Sequence, residues 1–239
     1  MPSIWCLGSA PSHAYACEAL RKAGIETETE FSFKTQGVLL DVPGPANVTA
    51  QMAQLPPGTP VFGGRLRGLP MQITPVDLLQ DPQYTAANAD ITARCALRLI
   101  CKELNRTLLH LPVLVIGWGR IGKLLAKYLR ALDADCFVFA RKPEDRALLS
   151  ALGYCAIDET QMLSPLPQLE LIVNTVPAII LDEETAKRCS GLLIDLASSP
   201  GIISDRVLWA RGLPGKIAPE SSGALIANTV IRLWKELEQ

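Results

Sequence analysis

The sequence has no excess of either charge: 23 lysines and arginines stand against 24 aspartates and glutamates. That balance provides no field for gathering polyanions, so nucleic acid is not expected as a main partner. It also lacks any apolar run of the roughly 20 residues that span a bilayer. The longest, around Leu171 to Leu181, is interrupted by Asn174, Thr175 and Pro177, so no membrane anchor is expected. The first residues, Pro2-Ser3-Ile4-Trp5-Cys6, lack the basic and long apolar regions of a secretory signal. Cysteine occurs seven times without a C-x-x-C pair, and this scatter reads as reduced thiols in the cytoplasm. Histidine is scarcer, with only His13 and His110, so acid-base chemistry built on imidazole has little support. His13 reads as an exposed residue near a helix start and His110 as a loop residue. Cys95 and Cys101 have no histidine or thiol partner at ligand spacing, and no metal site is expected.

What is abundant is apolar. Hydrophobic residues make up 49% of the 239, and a chain of this length can bury roughly 70% of its unfolded surface without staples. Ile4 to Ser9 reads as a strand entering a turn, and the helical spacing of Pro11 to Ala23 ends at Gly24. Short apolar runs at Val38 to Leu40, Pro60 to Phe62 and Met71 to Ile73 predict abbreviated strands, set off by Pro56-Pro57-Gly58 and Gly63-Gly64. One long helix is predicted over Thr85 to Leu104. Beyond it, Leu111 to Ile116 is apolar without alternation, as a strand covered on both faces requires. A helix over Ile121 to Leu132, a strand over Cys136 to Ala140 and a helix over Glu144 to Leu152 then complete a β-α-β unit. Further strands are predicted at Leu169 to Val173 and Leu192 to Leu196, and a last amphipathic helix at Ala224 to Leu237. The fold class is therefore α/β. A Rossmann-type parallel sheet domain at 107–220 is joined through a helix at 85–106 to a smaller N-terminal α/β domain at 1–84, on which residues 221–239 fold back.

Between the first strand and helix of that β-α-β unit lies Gly117-Trp118-Gly119-Arg120-Ile121-Gly122. Three glycines at this spacing do separate work. Gly117 permits a tight turn, Gly119 lets the backbone approach a pyrophosphate, and Gly122 lets the helix pack on the strand. The helix dipole and the N–H groups at Ile121 favour the phosphate charge. An NAD site commonly ends its second strand with an acidic residue for the ribose 2′-hydroxyl. Here Ala140-Arg141-Lys142 stands instead, and a guanidinium followed by an ammonium suits a 2′-phosphate, so NADP is preferred and NAD kept as the alternative. Asn174-Thr175-Val176-Pro177 and Ala197-Ser198 follow later strands, where the carboxyl edge of a sheet would face the nicotinamide half.

Together the segments Gly117 to Lys123, Ala140-Arg141, Ile172 to Ala178, Ile194 to Gly201 and Gly212 to Pro219 resemble the family formed by the A subunit of dipicolinate synthase, with Tyr84, Asn88 and Thr92 before the long helix. The resemblance covers about residues 75 to 230. It implies NADP-dependent oxidation of dihydrodipicolinate to dipicolinate during sporulation, with a small dicarboxylate as substrate and a flavoprotein-like second subunit as partner. The fold also resembles shikimate and 2-hydroxyacid dehydrogenases. The chain departs from the family at Ser199, where an arginine is usual, and between Trp209 and Gly212, where it is shorter.

For the chemistry, Asn88 and Thr92 lie one helical turn apart and can share a face. Lys216, in a glycine-proline turn expected to hang over a cleft, can bind a carboxylate or relay a proton. Arg94 is a further cation, and Tyr84 either packs or donates its hydroxyl. Two other readings stay open: a dinucleotide-binding regulatory or assembly subunit that has lost catalysis, and an NADP dehydrogenase for another small carboxylate. A homo-oligomer also stays open.

Overall fold

The computed structural model describes residues 2–44, 49–162 and 168–239. The chain divides into two compact units, one of Met1–Ile91 with Pro214–Gln239 and one of Thr92–Leu213. Each is built on its own parallel sheet.

The first unit contains β1 (Ser3–Leu7), α1 (Pro11–Lys22), β2 (Glu26–Glu28), β3 (Gly37–Leu40), α2 (Thr49–Met52), β4 (Pro60–Gly63) and β5 (Thr74–Asp77). Its sheet runs β2-β1-β3-β4-β5 with every pair parallel. The chain thus crosses over between β1 and β3, a switch point in a doubly wound sheet. Met71 to Ile73 is not the last strand. Met71 is fully exposed, and the strand begins three residues later, where Pro75 sits on the sheet edge and costs no central ladder bond. The polar strand β2, also at an edge, carries no apolar signal.

The long helix α3 (Pro82–Glu103) starts earlier than Thr85 because Asp81-Pro82 starts it. Asp81 Oδ1 accepts from the Tyr84 N–H at 2.6 Å, and proline at the first helical position forfeits no intrahelical bond. The last helix, α9 (Pro219–Leu237), likewise opens on a proline, so Ser221-Ser222-Gly223 lies inside it. It packs on α1 closely enough that a Cβ at Gly223 would meet Tyr15 Cβ and the Ser12 carbonyl. Tyr84 resolves towards packing: it is buried with Leu20, Phe62 and Val230, and burial pushes its phenol up to about 12.

Arg232 of α9 places Nη2 2.7 Å from Asp81 Oδ1 as an ion pair and donates through Nη1 to Glu236. Burial works to raise the Asp81 carboxyl, but the Tyr84 N–H and the Arg232 guanidinium outweigh it and hold the group below its ordinary 3.8. A depressed folded value contributes stability that is complete above the unfolded value of about 3.9 and is lost as the pH falls through the folded one. Denaturant midpoints measured from about pH 6 down to about pH 2 should therefore fall less steeply for Asp81→Asn than for the parent chain. Parallel slopes would show that the pair contributes nothing.

The second unit contains the C-terminal part of α3 and then β6 (Pro112–Ile116), α4 (Arg120–Arg130), β7 (Asp135–Phe139), α5 (Pro143–Ala151), β8 (Cys155–Ile157), α6 (Glu159–Met162), β9 (Leu171–Asn174), α7 (Glu183–Lys187), β10 (Leu192–Asp195) and β11 (Leu208–Trp209). The short α8 (Leu213–Ile217) leads out of it. All strands are parallel in the order β11-β10-β9-β6-β7-β8. Counted within the unit this is 3-2-1-4-5-6 read from β8, the Rossmann order. Two of the strands, β8 and β11, are additions to those expected from the sequence. The core holds Leu114, Ile116, Ile172, Leu181, Leu193 and Ile202. Among the described residues, no helix is long and apolar enough to cross a membrane.

Candidate functional site

The chain reverses its direction of travel across the second sheet between β6 and β9, and ligands of open α/β sheets bind at the carboxyl ends on either side of such a point. The glycine loop leaves β6 there. Gly117 has φ +105°, and a Cβ on it would meet Thr175 Oγ1 and Val176 Cγ2. Its N–H donates to the Phe139 carbonyl at 3.0 Å, tying the loop to β7. Gly122, in the first turn of α4, is pressed on the Gly117 carbonyl, which a Cβ would strike. Gly119 differs: a Cβ there would meet nothing within 4 Å, so the backbone borders open space.

Gly119 is also the N-cap of α4 and supplies no side-chain cap. The first-turn N–H groups, which have no intrahelical acceptor, therefore point to the position an anion would take. Arg120 is exposed and Ile121 half-buried. Trp118 is half-buried, packs edge-on against Tyr154 and lies 5.6 Å from Lys123 Nζ, and its buried Nε1 has no hydrogen-bond partner. A side-chain-free helix start and open space beside Gly119 fit a dinucleotide's pyrophosphate.

Arg141 and Lys142 are both exposed just beyond β7, and Lys142 is the N-cap of α5. A third cation, overlooked in the sequence, holds this turn. Arg146 donates through Nη1 to the carbonyls of Ala140 and Arg141 at 2.9 and 2.7 Å. Its spacing from Arg141 was the available signal, since a residue one turn into α5 can reach back to the strand end.

Across the switch point, Thr175 donates to the Ile116 carbonyl from both its N–H and its hydroxyl at 2.9 Å. Asn174 is fully buried and its amide is spent internally, donating to the Val176 carbonyl and to Asp195 Oδ1 and accepting from the Val176 N–H. Pro177 and Ser198 are exposed, whereas Ala197 has its N–H on Asp195 and its carbonyl on the Trp209 indole. The hub is Asp195, buried completely. Its Oδ1 accepts from Asn174 Nδ2 and the Ala197 N–H, and its Oδ2 from the N–H groups of Gly201 and Ile202. It shapes both loops.

The chemical candidates come from several elements of the chain. Asn88 is half-buried in the first unit and Thr92 buried at the start of the second, both on α3. Lys216 is exposed, but it lies within α8 and not in a turn. Arg94 stacks 4.7 Å from the Tyr128 ring centroid. His110 is an exposed loop residue 3.5 Å from Asp135. His13 departs from the expected exposure: it is buried, 3.5 Å from Asp41, and shares a cluster with Cys6 and Cys17. The expectation of no metal ligands considered thiols on a single helix, and this cluster is assembled from a strand and a helix.

No family model matches the chain. The A subunit of dipicolinate synthase from Bacillus subtilis (strain 168) is 27% identical over 173 residues, which cover 68% of this chain and 58% of that protein. The match thus spans little more than half the relative's length. The crystal structure of the same subunit from Bacillus subtilis superimposes with a TM-score of 0.84 at 20% identity, over 99% of this chain and 97% of that one. An L-alanine dehydrogenase shares the fold with a TM-score of 0.69 at 12% identity, over 98% of this chain and 90% of that one. In sequence and in fold the chain is similar to the A subunit of dipicolinate synthase, and its α/β architecture is that of the dehydrogenases.

Proposed function

We propose that this chain is the nucleotide-binding subunit of a dipicolinate synthase, oxidising a dihydrodipicolinate-type ring with NADP. The observation that carries the proposal is a capless helix start at the Rossmann switch point with two exposed cations at the end of the next strand. Bound NADP would supply the hydride acceptor. The residues of this chain bind and orient. The first-turn N–H groups of α4 receive the pyrophosphate, Gly119 gives it room, and Arg141 with Lys142 receives the 2′-phosphate. The backbone of Asn174 to Pro177 and of Ala197-Ser198 forms the wall on the nicotinamide side, held in shape by Asp195. Asn88, Thr92 and Lys216 are the candidates for holding substrate carboxylates. The relative is named as one subunit of its enzyme, which supports a second chain as partner, and a flavoprotein-like protein is our candidate.

A second reading, a dinucleotide-binding regulatory or assembly subunit, is favoured by Ser199. Its hydroxyl donates to the Pro177 carbonyl at 3.1 Å, and it brings no cation to a position where the resemblance implies an arginine. Turnover separates the two. The purified chain, alone and with a candidate flavoprotein-like partner, is mixed with NADP and freshly generated dihydrodipicolinate while NADPH absorbance is followed. Growth of the signal supports the synthase, and nucleotide affinity without turnover supports the regulatory role. For nucleotide choice, Arg141→Asp should weaken NADPH about 30- to 100-fold, the loss of a charge-assisted pair, and change NADH about 3-fold at most. Equal losses would remove Arg141 from the 2′-phosphate site.

A further inference from the structure

The first unit has a cluster that dinucleotide binding leaves unused. Cys6 lies near the carboxyl end of β1, while His13 and Cys17 stand one turn apart on the buried face of α1. The two Sγ atoms and one imidazole nitrogen all lie within 4.8 Å of one another. Their place in the fold is the β1/β3 switch point, where an open α/β sheet offers a ligand crevice.

The imidazole is arranged as a ligand would be. His13 is 6% exposed, and its Nδ1 faces Asp41 Oδ1 at 3.5 Å. Asp41, just beyond β3, is itself fixed by the N–H groups of Ser9 and Ala10. That leaves Nε2, which is buried and makes no hydrogen bond. A carboxylate on one ring nitrogen with the other turned inward is how metal-binding histidines are commonly oriented. An orphaned nitrogen in a buried position is costly unless something takes its lone pair.

The thiols complete the set. Metal binding would displace the protons of both thiols.

We propose that Cys6, His13 through Nε2, and Cys17 form a zinc site in the first unit, with a fourth position open to water or an added ligand. Thiolate and imidazole donors select zinc over magnesium or calcium. Zinc bonds of about 2.3 Å to sulfur and about 2.0 Å to nitrogen place the ligand atoms roughly 3.5–3.8 Å apart in a tetrahedron. Closure from the observed spacing of at most 4.8 Å then takes no more than about 1.3 Å.

Cobalt is the probe. The full chain, reduced and stripped with chelator, is titrated with Co2+ alone, and the expected result is one equivalent bound with thiolate-to-cobalt charge-transfer absorption and tetrahedral ligand-field bands. One equivalent of Zn2+ should abolish the signal. Cys6→Ser, Cys17→Ser and His13→Gln should each weaken cobalt at least about 10-fold, and Asp41→Asn about 10- to 100-fold through the ligand it orients. Cys95→Ser and Cys101→Ser should leave it unchanged. The parent chain suffices to refute the site: absence of charge transfer, cobalt bound without sulfur, or a Cys6–Cys17 disulfide as the sole product would each overturn it. So would charge transfer that persists when Cys6 and Cys17 are both replaced.

Discussion

Asp195→Ala should destabilise the second unit by about 4 kcal/mol, because it strands four buried donors at once, each worth about 1–3 kcal/mol when unsatisfied, with partial relaxation. Against a typical total of about 5–15 kcal/mol, that loss brings the unit close to unfolding. Asp195→Asn is informative beside it. Both carboxylate oxygens accept two bonds, so the amide keeps one accepting side and turns its NH2 on two donors. Its destabilisation should fall between those of the parent and the alanine variant. Urea unfolding measures both, and a change below about 1 kcal/mol for alanine would mean that water satisfies the loops as well as the carboxylate does.

The second large effect is expected at Gly122. A valine there drives its Cβ into the Gly117 carbonyl, which is backbone and has no rotamer to yield. The helix start must withdraw from the turn, and the anion cradle opens with it. Gly122→Val should therefore reduce NADPH affinity by about 100-fold or more, the scale of a lost set of charge-assisted bonds. Isothermal titration on a preparation whose circular dichroism matches the parent provides the measurement. Retained affinity would show that the nucleotide does not rest on this turn.

The glycine loop was legible because each of its glycines answers to backbone geometry within a few residues: positive φ at Gly117, contact with Gly117 at Gly122, open space at Gly119. The central strands β6, β7, β9 and β10 were legible because parallel strands covered on both faces are uninterrupted apolar runs. Strands β2, β8 and β11 were not, since two or three residues at or near a sheet edge have no readable period. Helix starts at Pro82 and Pro219 were placed too late because hydrophobic spacing begins after the first turn, although proline at the first helical position was the signal. Cys6, His13 and Asp41 could not be grouped from sequence. Their proximity exists only once β1, α1 and β3 are folded; the one local signal was the four-residue spacing of His13 and Cys17 on α1. Asp195 was seen as part of a strand-end segment, but its role as a fourfold acceptor depends on where the following loop returns.

The first unit is made from two stretches of chain separated by the whole of the second. During synthesis the ribosome therefore completes Thr92–Leu213 before the residues of α9 exist, and the apolar surface of α1 that α9 covers must wait for them. Chaperone demand should be concentrated on the early segment until translation reaches Val230.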